Sequence, residues 1–138
     1  MNYDLRTLAD RAELHDLLLH LGRALDEHRF DDLKDVLTPD ATGTTRNGTG
    51  SSREVLIAQI EAGNKDYARL LHRFSSVLIE VDGDTATIRA YITALSGHAD
   101  SLVPVHRGYG LCRNKAVRTP DGWRISELNV EPVFVVGR

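Results

Sequence analysis

The hydrophobic positions change period near the middle of the chain. Leucines at 14, 17, 18, 21 and 25 fall at i, i+3, i+4, i+7 and i+11, which places them on one stripe of a helix. Thr7 or Asp10 is the expected cap of this helix, and Asp10 and Glu13 suit the positive end of its dipole. FDDLKDVL reads as a short second helix, closed at Thr38 because the residue before a proline avoids helical backbone. ATGTTRNGTGSS begins with strand-like threonines and passes into turn residues. SREVLIAQIEAGNKDYARLL reads as a third helix, with Ser51 or Ser52 at its cap and Glu54 completing a capping-box pattern.

Beyond this point the period is two. Val77, Ile79 and Val81 alternate, and Asp82-Gly83-Asp84 is a hairpin turn. Ala86, Ile88, Ala90, Ile92 and Ala94 then share one face, with Thr85, Thr87, Arg89, Tyr91 and Thr93 on the other. SGHADSLVPV reads as a loop, and a further strand is expected from about Arg107 to Val117. Thr119-Pro120-Asp121-Gly122 has proline and glycine where a type I turn takes them, and Trp123 to Val136 forms the last strand. Helices followed by an antiparallel meander make an α+β pattern. A strongly curved antiparallel sheet wrapped around the helices leaves one open end, which suits a small-molecule pocket.

Length and composition narrow the function. At 138 residues the chain is expected to form one domain, spanning 1–138, with a single core. Its apolar fraction of 41% and charged fraction of 27% are those of an ordinary globular protein. A net charge of −3 and the lack of a basic cluster argue against nucleic acid as a partner. No apolar run approaches the roughly 18 residues of a membrane span, and the acidic N-terminus lacks a signal core, so a cytoplasmic location is expected. The one cysteine, Cys112, rules out an internal disulfide framework and a multi-cysteine metal site.

Two residues stand out chemically. Asp26 ends the leucine-striped helix, and His72 opens the strand-like run LLHRFSSVLIEVDGD. A carboxylate that orients an imidazole is a general-base arrangement. Asp26 could equally cap FDDLKDVL, and His72 could be a satisfied histidine at a strand edge. Arg23, one turn before Asp26, could pair with Asp26 or Glu27, or bind a substrate oxygen. Tyr91, on the polar face of its strand, is a core or rim tyrosine or a pocket donor that contacts substrate. His98, His106 and Arg107 cluster around the SGHADSLVPV loop, but no third ligand has suitable spacing, so no metal site is expected. Cys112 reads as a buried thiol rather than a nucleophile.

Three segments together carry a family resemblance. ALDEHRFDDLKDVLTPDATGTT resembles the helical entry of SnoaL-like proteins of the NTF2-like superfamily. LHRFSSVLIEVDGDTATIRAY resembles their histidine-led strand and DGD hairpin, and VRTPDGWRISELNVEPVF resembles their last hairpin. The resemblance implies a cone-shaped α+β barrel with a deep apolar pocket, assembled as a homodimer or homotrimer. The group includes dehydratases, a dehydrochlorinase and polyketide cyclases, which work without metal or organic cofactor. By motif position, Asp26 and His72 match its catalytic Asp and His, and His98 is a possible match to a second histidine. The chain departs from the dehydrochlorinase in having Leu19, His20 and Leu21 where a lysine precedes the Asp, and it lacks the tyrosine pair of scytalone dehydratase. Cys112 stands where many relatives have tyrosine. The expected function is a cofactor-independent lyase or isomerase acting on a hydrophobic small molecule. The alternatives are cyclase-type acid–base catalysis by Asp26 alone and a non-catalytic binding module.

Overall fold

The computed structural model describes residues 3–137. Helix α1 spans Leu5–Asp26, and a 3₁₀ turn spans Phe30–Asp35. Strands β1 (Leu37–Thr45) and β2 (Gly48–Gly50) follow, then helix α2 (Arg53–Asn64). The chain ends in four long strands, β3 (Arg69–Asp82), β4 (Thr85–Gly97), β5 (His106–Thr119) and β6 (Gly122–Gly137). They form one curved sheet in the order β2-β1-β6-β5-β4-β3. The sheet is not closed, since β2 and β3 lie at its two edges.

The expected antiparallel sheet is mixed at one seam. β1 runs parallel to β6, whereas the other four neighbouring pairs are antiparallel. Parallel neighbours need a long connection, and here α2 and four strands separate the two. Gly43 sets the distance at this seam, because a Cβ there would sit 1.9 Å from the Leu128 carbonyl oxygen. The curvature has a local cause. Register shifts interrupt β3 between Ser75 and Leu78, and β5–β6 at two places, and such bulges bend and twist a strand. Ser76 takes the left-handed backbone (φ 52°) at the first of these.

The leucine stripe is the core-facing side of α1. Leu14, Leu17, Leu18, Leu21 and Leu25 are all buried against the sheet together with Trp123, Ile125 and Ile88. The cap differs from the expectation. Asp4 accepts from the Thr7 backbone N–H at 2.7 Å, so neither Thr7 nor Asp10 caps α1. Asp10 is buried instead. Its carboxylate receives two bonds from the Arg118 guanidinium (2.8 and 2.9 Å) and one from the Trp123 indole N–H (3.0 Å). A buried carboxylate needs such partners, and the Arg118 bonds hold Asp10 down at a pKa of about 2.

The third helix is shorter than its pattern suggests. α2 stops at Asn64, and residues 69–71 already belong to β3. The Asn64 side chain bonds the Ile60 carbonyl at 2.7 Å and closes the last turn. A short apolar run such as Leu70-Leu71 fits either period, and pairing with β4 decides it: Leu70 lies opposite Ser96 and Leu71 opposite Leu95.

Candidate active site

α1 ends in a Schellman motif, with Arg29 N–H bonded to the Ala24 carbonyl (2.7 Å) and His28 N–H to that of Leu25 (3.1 Å). His28 occupies the left-handed position that glycine usually takes (φ 56°), and its Nε2 bonds the Tyr67 carbonyl at 2.7 Å. The helix end is thereby tied to the entry of β3. Gly22 lies against this strand, where a Cβ would stand at ordinary contact distance from the His72 carbonyl oxygen (3.5 Å) and the Phe74 ring (3.4 Å). One turn further along the same helix face, Asp26 lies level with His72.

Asp26 and His72 meet. Asp26 Oδ1 lies 2.8 Å from His72 Nδ1 and 2.9 Å from the His72 backbone nitrogen, which also lies 3.2 Å from Oδ2. The His72 side chain is only 7% exposed, and that of Asp26 is 29% exposed. A carboxylate beside Nδ1 accepts its proton, so the neutral ring carries its lone pair on Nε2.

His72 lines a cavity of about 380 Å³, and Asp26 stands behind it, outside the lining. Leu21 and Leu25 of α1 form part of the wall, with Phe74, Ile92 and Val130 from the sheet. The inward face of β5 contributes Gly108, Gly110 and Cys112. A side chain at Gly110 would strike Val130 and Ile92 (2.9 and 3.2 Å), so the glycine leaves the space open. Burial pushes the Cys112 thiol up to about 12, which keeps it protonated and unreactive. The polar part of the lining includes Arg46, Asn47, Asn64, Tyr67, Ser96 and His106. His106 is buried, and Arg46 Nη1 is hydrogen-bonded to its Nε2.

The other candidate residues lie elsewhere. Arg23 is 55% exposed, pairs with Glu27 at 3.5 Å, and lines a separate polar crevice on another side of α1. Tyr91 is on the outer face of β4 beneath the Arg89 guanidinium, 5.2 Å from its ring centre. The alternation of β4 requires this, since Ile92 and Ala94 take the cavity face. His98 is exposed and stacks on the Tyr67 ring (5.6 Å) outside the lining. None of these three belongs to the cavity wall that His72 shares. Arg46 was not legible as a site residue, because it occupies an ordinary turn, Thr45-Arg46-Asn47-Gly48. Only the fold brings it beside His106, 60 positions away.

Comparison with known proteins bears on the fold and the family. An uncharacterized protein of Mycobacterium tuberculosis, Rv2910c, is 34% identical over 126 residues, covering 86% of this chain and 82% of its own. A scytalone dehydratase-like structure from Novosphingobium aromaticivorans superposes with a TM-score of 0.85 over 96% of this chain and 89% of its own, at 14% identity. A type 2 hexachlorocyclohexane dehydrochlorinase, LinA, gives 0.83 over 97% and 92%, at 20% identity. At such identities these two structures share the fold. The family model of the SnoaL-like domain matches residues 6–129. With that span covering nearly all of both helices and the sheet, the chain belongs to the SnoaL-like domain family, within the NTF2-like fold.

Proposed function

We propose that the cavity is the active site of a cofactor-independent lyase or isomerase for an apolar small molecule. The observation that carries this reading is the 2.8 Å contact between His72 Nδ1 and Asp26 Oδ1 at the wall of an apolar cavity. His72 Nε2 removes a proton from a substrate carbon, and Asp26 stabilises the imidazolium that results. In an elimination, the electron pair of the broken C–H bond forms the new double bond, and the leaving group departs with its own pair. In an isomerisation, the imidazolium returns the proton to another carbon. An apolar chamber strengthens the Asp26–His72 interaction by excluding water. The relatives named as a dehydrochlorinase and as scytalone dehydratase-like fit this class of chemistry.

Acid–base catalysis by Asp26 alone is less well supported. Asp26 is outside the cavity lining, and its oxygens are engaged by His72. The test is exchange of substrate C–H for deuterium. A panel of cyclic apolar ketones and alcohols is incubated in D₂O with the native protein, His72→Gln and Asp26→Asn. Exchange that His72→Gln abolishes supports the reading. Exchange that survives His72→Gln and is lost in Asp26→Asn points to Asp26 as the base. Ligand binding with no exchange by any protein identifies a binding module.

A further inference from the structure

The cavity contains one charge that the described residues do not neutralise. Arg46 lies in the turn between β1 and β2 and lines the cavity. Among the described residues it forms no ion pair, and no aspartate or glutamate lines the cavity. Its hydrogen-bond partner is His106 Nε2. A guanidinium only donates, so Nε2 is the acceptor in this contact. His106 thus orients the cation without cancelling its charge. Arg46 is exposed at the cavity wall, so its guanidinium stays hydrated and is open to an anion carried in by a ligand, and no acid of the lining competes for it.

From this we infer that the ligand of the cavity is an apolar carboxylic acid, bound as its carboxylate at Arg46. The inference rests on reading the cavity as a small-molecule site and names the ligand class. A carboxylate matches the planar donor fork of the guanidinium. Its single negative charge balances the single positive one, whereas a phosphate dianion would leave a surplus charge at the chamber. The apolar body lies along Leu25, Phe74 and Ile92, in the same cavity as His72. Asn47, also in the lining, offers an amide donor to a remaining carboxylate lone pair.

Isothermal titration calorimetry of the full chain with 2-naphthoate and its neutral counterpart 2-naphthamide tests this. The native protein is expected to bind naphthoate at least tenfold more tightly than the amide. In Arg46→Gln the ratio falls to near one, and Arg46→Lys keeps part of it. The residue is exposed in a turn, and circular dichroism checks that each variant is folded. Equal affinity of the native protein for the two probes overturns the carboxylate assignment and leaves the cavity reading intact. A preference that persists in Arg46→Gln overturns the role of Arg46. Failure of both probes to bind at millimolar concentration overturns the inference together with the cavity reading.

Discussion

Asp26 holds His72 at two points, the ring Nδ1 at 2.8 Å and the backbone N–H at 2.9 Å. One carboxylate therefore sets the orientation of the imidazole and also fixes the strand that carries it to the end of α1. Asp26→Asn separates these roles. The amide can still accept from the backbone, but its NH₂ group can donate to Nδ1 and so favour the opposite ring tautomer. Long-range ¹H–¹⁵N spectra are expected to show the His72 proton on Nδ1 in the native protein and a shift toward Nε2 in the variant. Turnover of any substrate found should fall by roughly 10²–10⁴-fold, the usual size of a general-base contribution.

The Asp10–Arg118–Trp123 cluster predicts how stability depends on acid. The folded-state pKa of Asp10 is lowered from 3.8 to about 2, chiefly by its bonds to Arg118. A depressed carboxylate pKa contributes stability that is complete above about pH 4 and is lost as pH falls toward 2. Asp10→Asn should thus lower the urea midpoint most above pH 4, with the difference from the native protein shrinking toward pH 2. Trp123 is fully buried, so its fluorescence reports the transition.

Gly43→Ala tests the parallel seam. The added methyl would meet the Leu128 carbonyl oxygen and carbon (1.9 and 2.8 Å), which are backbone atoms that cannot rotate away. The variant is expected to lose on the order of 3 kcal/mol in chemical denaturation, the size of an overpacking penalty. A change under about 0.5 kcal/mol, typical of neutral surface sites, would contradict the close approach of β1 and β6.

Cys112 predicts chemical silence. It is fully buried, and its thiol is pushed up to about 12. Iodoacetamide at pH 8 should label it only as fast as the protein unfolds, with rates that rise on adding urea. Rapid labelling of the folded protein would overturn this.

The end of β6 predicts self-association. Val133, Phe134, Val135 and Val136 form an exposed apolar run, with Phe134 68% exposed. Successive strand residues face opposite ways, so each face of this strand end carries two of them, and exposed apolar side chains of this kind are common sites of protein contact. Light scattering coupled to size exclusion is expected to give a dimer or trimer for the native chain and a monomer for Phe134→Asp.

Much of the fold was legible because it depends on local period. The leucine stripe from Leu14 to Leu25 marked the buried face of α1, and the alternation from Ala86 to Ala94 marked the cavity face of β4. Asp82-Gly83-Asp84 and Thr119-Pro120-Asp121-Gly122 marked the two hairpins, since β3 passes to β4 across Gly83 and Asp84, and β5 to β6 across Pro120 and Asp121. The same alternation set Tyr91 on the face opposite Ile92, and that face turns away from the cavity, so Tyr91 is not the pocket donor it was a candidate for. The start of β3 failed because a short apolar run carries no period of its own.

The sequence by itself determined the element types, the two tight turns, the leucine face, and Asp26 and His72 as residues worth pairing. Only the tertiary structure decided which distant groups meet. Asp26 reaches His72 because α1 packs along β3 and the His28–Tyr67 bond ties the helix end to the entry of that strand. Asp10 left its expected cap position because Arg118, 108 residues away, makes burial of its charge tolerable. Arg46 entered the cavity, and Arg23 did not, for the same physical reason. Period and turn chemistry act over a few residues, whereas the surroundings of a charge are set by whichever strands pack beside it.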